Sequence, residues 1–343
     1  MNISNDLDIA PLGAELEAAI DGFSGLREVS KFNTGQSNPT YLLTADSGQY
    51  VLRSKPPGKL LKSAHQVDRE FRVMRALKGS GVPVPGMLYL SAEDSSIGRM
   101  FFVMEYLQGR IFWQPDLPEC EPDERGMIYD AMNEALAALH GVDPEAVGLS
   151  DFGKPGNYFE RQLSRWTKQY RASETQTISD MDLLIPWLEE HLPLDEGQVS
   201  LVHGDYRIDN MIFAPDEPKI MAVLDWELST LGHPLADLAY QCMQWRLPHN
   251  TGFRGLGGLD RKEIGLPTEE EYVAAYCRRR NIEAIEHWPF YLAFSFFRLA
   301  AILQGVLKRA LDGNASNPQR AREMAMAVPV MAAMAMEITK GRS

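Results

Sequence analysis

Apolar residues recur along this chain with two different periods, and the change falls near residue 107. Leu12, Leu16 and Ile20 are spaced four apart, which predicts an opening amphipathic helix. Strand-like runs follow at LREVSKF, TYLLTA, QYVLRS, GMLYLSA and MFFVMEYL, rich in branched and aromatic residues and bounded by Gly, Pro, Asn or Ser; they predict a five-strand meander. Within it, Val67, Phe71, Met74 and Leu77 return to helical spacing, and Gly79 and Gly81 mark where that helix stops.

Beyond residue 120 the helical period takes over. The pattern predicts helices over about 122–140, 157–172, 180–191, 234–246, 268–281, 287–311 and 317–339. Thr268 followed by Glu271 matches a capping box, the basic run 278–280 suits a helix C-terminus, and Pro329 predicts a kink in the last helix. The Met-rich end reads as a packed helix. VSLVHGD, NMIFAP and IMAVLDW are short apolar runs separated by turn residues, expected to form a small buried hairpin system inside the helical region, and 252–266 is a long Gly-rich loop. The expected fold class is therefore α+β, with a small antiparallel sheet in residues 1–107 and a larger helical part in 108–343.

Composition narrows the function. At 343 residues and 45% hydrophobic content the chain can bury a substantial core. A formal charge of -13 opposes extended contact with nucleic-acid phosphates, so no nucleic-acid partner is expected. Cys120, Cys242 and Cys277 form neither a disulfide framework nor a zinc ribbon, which fits a reducing, cytoplasmic setting. The acidic N-terminus lacks a signal-peptide pattern, and the longest apolar region, WPFYLAFSFFRLAAIL, is interrupted by Arg298, so no membrane partner is expected.

The chemistry concentrates in LVHGDYRIDNMIF. Phosphoryl transfer needs a carboxylate beside the acceptor hydroxyl and oxygen ligands for a divalent metal on the nucleotide phosphates; Asp205 and Asn210 supply these on one short loop. Asp225, closing the apolar run of AVLDWE, supplies the second metal carboxylate. Upstream, Gly35, Ser37 and Asn38 occupy a turn whose backbone amides suit phosphates. Arg53 ends a strand and Glu70 lies in the following helix, a cation and an acid to orient it over the phosphates. The backbone at Glu105 and Leu107, within FVMEYLQG, is expected to meet an adenine. His203 is expected to orient the loop by hydrogen bonding rather than to transfer a proton.

These motifs, in this order, resemble the aminoglycoside phosphotransferase and choline kinase group of kinase-like enzymes over nearly the whole chain. TGQSNPTYLL, YVLRSKPPGKLLKSAHQVDREFRVM, LVHGDYRIDNMIF, VLDWELSTLGHPLADLAY and FRLAAILQG carry a closer resemblance to the kinase-like domain of acyl-CoA dehydrogenase family members ten and eleven. No flavin-dehydrogenase domain accompanies these motifs in this chain. The resemblance implies a bilobal protein-kinase-like fold, with a nucleotide-binding lobe in 1–107 and the catalytic loop and acceptor site in 108–343. It implies ATP and Mg2+ as cofactors, Asp205 as catalytic base, Asn210 and Asp225 as metal ligands, Glu227 as an auxiliary metal group and Asp237 as a structural acid.

Arg53 stands where this fold usually has a strand Lys; it keeps the charge with a different donor geometry, and Lys55, two residues on, is the alternative phosphate contact. The expected activity is ATP-dependent phosphorylation of a hydroxyl on a small molecule. Trp245, Arg246, Phe253, Arg254 and Arg298 suit an amphipathic anion such as a hydroxyacyl-CoA or hydroxy acid, with the 4-position as a candidate. An aminoglycoside or choline kinase, a kinase-like binding module without turnover and a metal-dependent hydrolase are the alternatives.

Overall fold

The computed structural model describes residues 2–3, 7–32, 38–58, 65–249, 252–313 and 318–341. In chain order it begins β1 (Asn2–Ile3), α1 (Ile9–Ala19), β2 (Leu26–Lys31), β3 (Thr40–Ala45), β4 (Gly48–Ser54), α2 (Val67–Leu77), β5 (Met87–Leu90) and β6 (Phe101–Glu105). It continues with α3 (Pro122–Gly141), α4 (Tyr158–Ser173), α5 (Ser179–Glu190), β7 (Ser200–Val202), β8 (Met211–Phe213), β9 (Ile220–Val223) and β10 (Thr230–Gly232). The last elements are α6 (Leu235–Cys242), α7 (Glu269–Arg280), α8 (Trp288–Leu311), α9 (Pro318–Ala325) and α10 (Ala327–Thr339). They form two compact units, one of Met1–Ile111, Pro144–Leu149 and Asp209–Ser229, the other of Phe112–Asp143, Ser150–Ile208 and Thr230–Ser343. A single boundary after residue 107 therefore describes only the first segment; residues 209–229 group with the sheet.

In the first unit the antiparallel strands run β1-β2-β3-β4-β6-β5, so the expected meander is broken: β6 inserts between β4 and β5. The helix α2 separates β4 from β5 in sequence, which frees β5 from pairing with its predecessor and leaves it at the edge. Alternation along β6 assigns its two faces. Phe101 and Val103 pack into the cluster built with Leu12 and Leu16 of α1, whereas the ring of Phe102 lies 6.2 Å from Phe71 of α2. The strands β8 and β9 form a hairpin, Met211 opposite Val223.

In the second unit β7 does not join that hairpin; it pairs with β10, a three-residue strand whose sequence carries no strand-length run. The helix α8 forms the centre of this unit: Phe290, Phe294, Phe296 and Phe297 are buried, and Phe159 of α4 packs edge-on against Phe290 and Phe294. It is long and apolar enough to cross a membrane, yet 72% of its apolar stretch is buried within the protein, so core packing accounts for its composition. The capping box of α7 is formed: Thr268 Oγ accepts from the Glu271 amide and the Glu271 carboxylate accepts from the Thr268 amide. The expected kinked last helix is instead two helices. Pro329 is the third residue of α10, where its missing N–H falls among donors that have no partner in the helix anyway, and its ring is incompatible with continuing the α9 turn through Ala325. All three cysteines are free and buried.

Candidate active site

The first unit brings four charged groups together from three places in the sequence. Arg53 lies near the end of the central strand β4, in register with Thr40 on one side and Phe102 on the other, a platform with little freedom. Its Nε donates to Glu70 of α2 at 3.0 Å and its terminal nitrogen to Asp225 at 2.5 Å. Asn38 donates from one amide nitrogen toward both Glu70 and Glu227, at 3.2 and 3.4 Å, while its oxygen lies 2.9 Å from His65 Nδ1. Carboxylate oxygens of Glu70, Asp225 and Glu227 fall within 4.8 Å of one another.

Three carboxylates against one guanidinium leave an excess of negative charge in a partly enclosed place. The carboxyl of Glu70, 1% exposed, is pushed up to about 7 by burial, with Asp225 and Glu227 adding to the effect and Arg53 offsetting part of it. Burial also works against the charge of Arg53, but Glu70, Asp225 and Glu227 outweigh it and hold the guanidinium pKa above its ordinary value. The β8–β9 hairpin sets the remaining geometry. The Asn210 carbonyl accepts from the Leu224 amide at 2.8 Å, so Asn210 and Asp225 leave adjacent strand ends. Asp225 itself is in the left-handed region, φ 64 and ψ 56, a conformation that Asp tolerates better than most side chains and that reverses the chain into a short 3₁₀ turn at Trp226–Leu228.

The second unit holds the other half of the motif. Asp237, 1% exposed, accepts the amides of His203 at 2.6 Å and Gly204 at 2.8 Å, and lies 3.4 Å from His140 Nε2. A carboxylate only accepts, so His140 presents Nε2–H to it and takes the Tyr276 hydroxyl, 2.7 Å away, at Nδ1. Burial lowers the His140 pKa, which keeps the ring neutral in this chain of bonds. Burial acts to raise the Asp237 pKa, but hydrogen bonding from His140 and the charges and amide around it hold it below the usual carboxylate value. The loop so anchored turns through Gly204 at φ 86, and Arg298 of α8 donates to the Gly204 carbonyl at 3.0 Å. His203 Nδ1 accepts the Asp205 amide at 3.2 Å, the orienting role expected of it. One oxygen of Asp205 receives the Tyr240 hydroxyl at 2.7 Å and lies 3.1 Å from Arg207 Nε.

The structure thus places Arg53, Glu70, Asn38, Asn210 and Asp225 in the first unit and Asp205 in the second; Gly35 and Ser37 lie outside the described residues. Lys55 pairs with Glu93 rather than with Glu70, since β4 ends at Ser54 before the two prolines. The Glu105 amide donates to the Gly86 carbonyl at 2.9 Å and so is already engaged; Leu107 follows the strand end and is half-buried. Arg246, expected to face an anionic acceptor, is chelated by Glu269 at 2.8 and 3.0 Å, and Trp245 beside it is fully buried. The contact of Tyr240 with Asp205 is not legible in the sequence, because nothing but its position, three after Asp237 on one face of α6, connects it to the loop.

Residues 28–286 match the Phosphotransferase enzyme family. Mouse acyl-CoA dehydrogenase family member 10 is 52% identical over 295 residues, covering 86% of this chain and 28% of that protein, so the chain spans little more than a quarter of its relative. A crystal structure from Ralstonia eutropha, named as a candidate aminoglycoside phosphotransferase, is 46% identical with a TM-score of 0.90, covering 98% of this chain and 99% of that one. A spectinomycin phosphotransferase in complex with ADP and spectinomycin shares the fold at 11% identity and a TM-score of 0.63, covering 96% and 98% of the two chains. With its kinase-like α+β fold and a family match running from β2 to the loop before α8, this chain belongs to the phosphotransferase enzyme family.

Proposed function

We propose that this protein transfers the terminal phosphoryl group of ATP to a hydroxyl of a small molecule, with Asp205 as the base, and that the acceptor is a hydroxyacyl-CoA or a related hydroxy acid. One observation carries the kinase reading: Glu70, Asp225 and Glu227 gather at one place, and Arg53 pairs with the first two. A purely structural ion pair needs one acid; three carboxylates at this spacing repel one another unless a further cation joins them. All the donors are hard oxygens, the ligand type that suits Mg2+, and Asn210 with Asp225 and Glu227 would hold it. A metal held there would supply positive charge against the nucleotide phosphates.

The remaining work falls to the chain's own residues. Arg53, fixed by Glu70, offers a guanidinium to phosphate oxygens. The backbone at Glu105 and Leu107, at the end of β6, is where an adenine would be met. Asp205 takes the proton of the acceptor hydroxyl as the oxygen attacks phosphorus. Tyr240 and Arg207 act through it, fixing one carboxylate oxygen so that the group meets the hydroxyl in one orientation. The ADP held by the spectinomycin enzyme supports a nucleotide donor, and the likeness to acyl-CoA dehydrogenase family member 10 supports an acyl thioester as acceptor.

The test is incubation with ATP, Mg2+ and a panel of hydroxyacyl-CoA thioesters, hydroxy acids, kanamycin and choline, with product masses recorded. A product heavier by one phosphoryl group from a hydroxyacyl compound is the expected result. Phosphorylation of kanamycin or choline alone would overturn the acceptor assignment and leave the kinase reading standing; no nucleotide consumption with any acceptor would overturn both.

A further inference from the structure

The expected source of anion affinity, Arg246, is neutralised, but a second basic surface is present in the same unit as Asp205. A cleft of about 890 Å³ runs along α4, and Lys154, Arg161, Arg165 and Lys168 line it. The spacing 161, 165, 168 puts three of these cations in one stripe on the helix, with Lys154 on the loop leading into it. This is against the background of a chain with 47 acidic and 34 basic residues. Like charges three and four apart on a helix repel, so the stripe carries a cost that an anionic ligand would relieve.

Two acids also line the cleft, Glu160 and Asp195, and among the described residues neither forms an ion pair with the stripe. Asp195 of the cleft is held by the amides of Asn157 at 2.6 Å and Gly197 at 3.2 Å. Among the described residues, Lys154, Arg165 and Lys168 are exposed and make no ion pair with a carboxylate, and Arg161 donates only to the carbonyls of Lys154 and Pro155. Arg165 is braced against the ring of Trp166 at 5.1 Å, which holds a guanidinium in place without using its donors. Two guanidinium forks and two ammonium groups around one concave surface match phosphate oxygens rather than a single carboxylate.

The helix that bears the stripe also contacts the framework of the catalytic loop. The ring of Trp166 lies 6.0 Å from the guanidinium of Arg298, which donates to the carbonyl of Gly204, the residue before Asp205. Tyr158, at the start of α4, lies within electrostatic reach of Arg161 and Arg165 and also of Arg298 and Asp237. The helix that bears the stripe therefore packs, through Trp166, against the arginine that holds the loop before Asp205.

We propose that the α4 cleft binds the phosphate-bearing end of the acceptor, an organic bisphosphate of the kind found in the adenosine 3′,5′-bisphosphate portion of a CoA thioester. This rests on the acceptor reading given above and places its recognition on residues distinct from those that meet ATP. The test is calorimetric titration of the full chain with adenosine 3′,5′-bisphosphate, in the presence of saturating Mg2+ and ATP so that the nucleotide site is filled. Binding should persist under those conditions and weaken steeply with added salt. The Arg165→Ala/Lys168→Ala variant, altered only at exposed positions, should bind at least tenfold more weakly at an unchanged thermal midpoint, and Arg165→Lys should recover part of the loss. Displacement of the bisphosphate by ATP, or wild-type affinity in the double variant, overturns the proposal. The two readings fail separately. Turnover of a hydroxyacyl-CoA with an unchanged KM in the double variant sinks the cleft alone, whereas bisphosphate binding lost in the double variant, with no hydroxyacyl compound phosphorylated, sinks the acceptor reading alone.

Discussion

Replacing Asp237 with Asn removes one charge and changes almost no volume, and its effect can be worked bond by bond. With its oxygen in the position that serves His203, at 2.6 Å, and His140, at 3.4 Å, the amide keeps both contacts, reduced to neutral strength. Its nitrogen then faces the Gly204 amide where a carboxylate oxygen had accepted at 2.8 Å, donor against donor. A hydrogen bond to a charged partner contributes roughly 1.5–3 kcal/mol and a neutral one about 0.5–1.5 kcal/mol, so one bond lost and two weakened come to about 3.5–6 kcal/mol. At 1% exposure no solvent screening reduces this. Urea unfolding of Asp237→Asn at neutral pH should show a lower midpoint with an unchanged slope, and the amides of His203 and Gly204 should exchange faster with deuterium than in the wild type. The sign with pH follows from the lowered pKa of Asp237: its contribution is present above the ordinary value of 3.8 and is lost as pH falls through the folded value, so the gap between wild type and variant should close in acid. A variant within about 0.5 kcal/mol of the wild type at neutral pH, the scatter of surface substitutions, would refute the anchoring role assigned here.

Asp205→Asn should lower turnover by at least about a hundredfold while Mg2+-ATP affinity stays within a factor of about two, because a base is lost without a phosphate contact; equal loss of both in a titration and a rate assay would move Asp205 into nucleotide binding. Asn210→Ala should raise the Mg2+ concentration needed for half-maximal nucleotide binding, and an unchanged metal titration would remove Asn210 from the ligand set. Arg53→Ala should weaken ATP binding by about tenfold or more and Lys55→Ala much less, since Arg53 joins Glu70 and Asp225 whereas Lys55 is paired with Glu93; the reverse order by calorimetry would transfer the role. His233 has its pKa lowered by burial from 6.5 to about 4, so the native state holds it neutral while the unfolded chain takes up a proton. Stability should therefore fall as pH drops from 6.5 toward 4, by about 2 kcal/mol after allowing for partial exposure, and His233→Gln should flatten that slope in unfolding curves taken across the interval.

What the amino-acid sequence determined by itself is what depends on neighbours in the chain. The period of apolar positions placed α1, α2 and the long helices of the second unit, Thr268 and Glu271 marked the start of α7, and the spacing of Asp205, Asn210 and Asp225 marked them as candidates for the site. Periodicity reports which face of an element is buried, because burial and backbone geometry act within a few residues. It does not report which strand pairs with which, since that is settled by contacts between distant segments. Hence β6 lies between β4 and β5, β7 pairs with the unannounced β10, and residues 209–229 fold onto the sheet of the first unit. The same limit governs the site. That Arg53 rather than Lys55 meets Glu70, that Tyr240 and Arg207 contact Asp205, and that Arg246 is cancelled by Glu269 while the α4 stripe has no carboxylate partner among the described residues are outcomes of side chains brought together across tens or hundreds of residues. Charge in a sequence can be counted, but whether a charge is neutralised depends on a partner a few ångströms away, and only the folded chain chooses that partner.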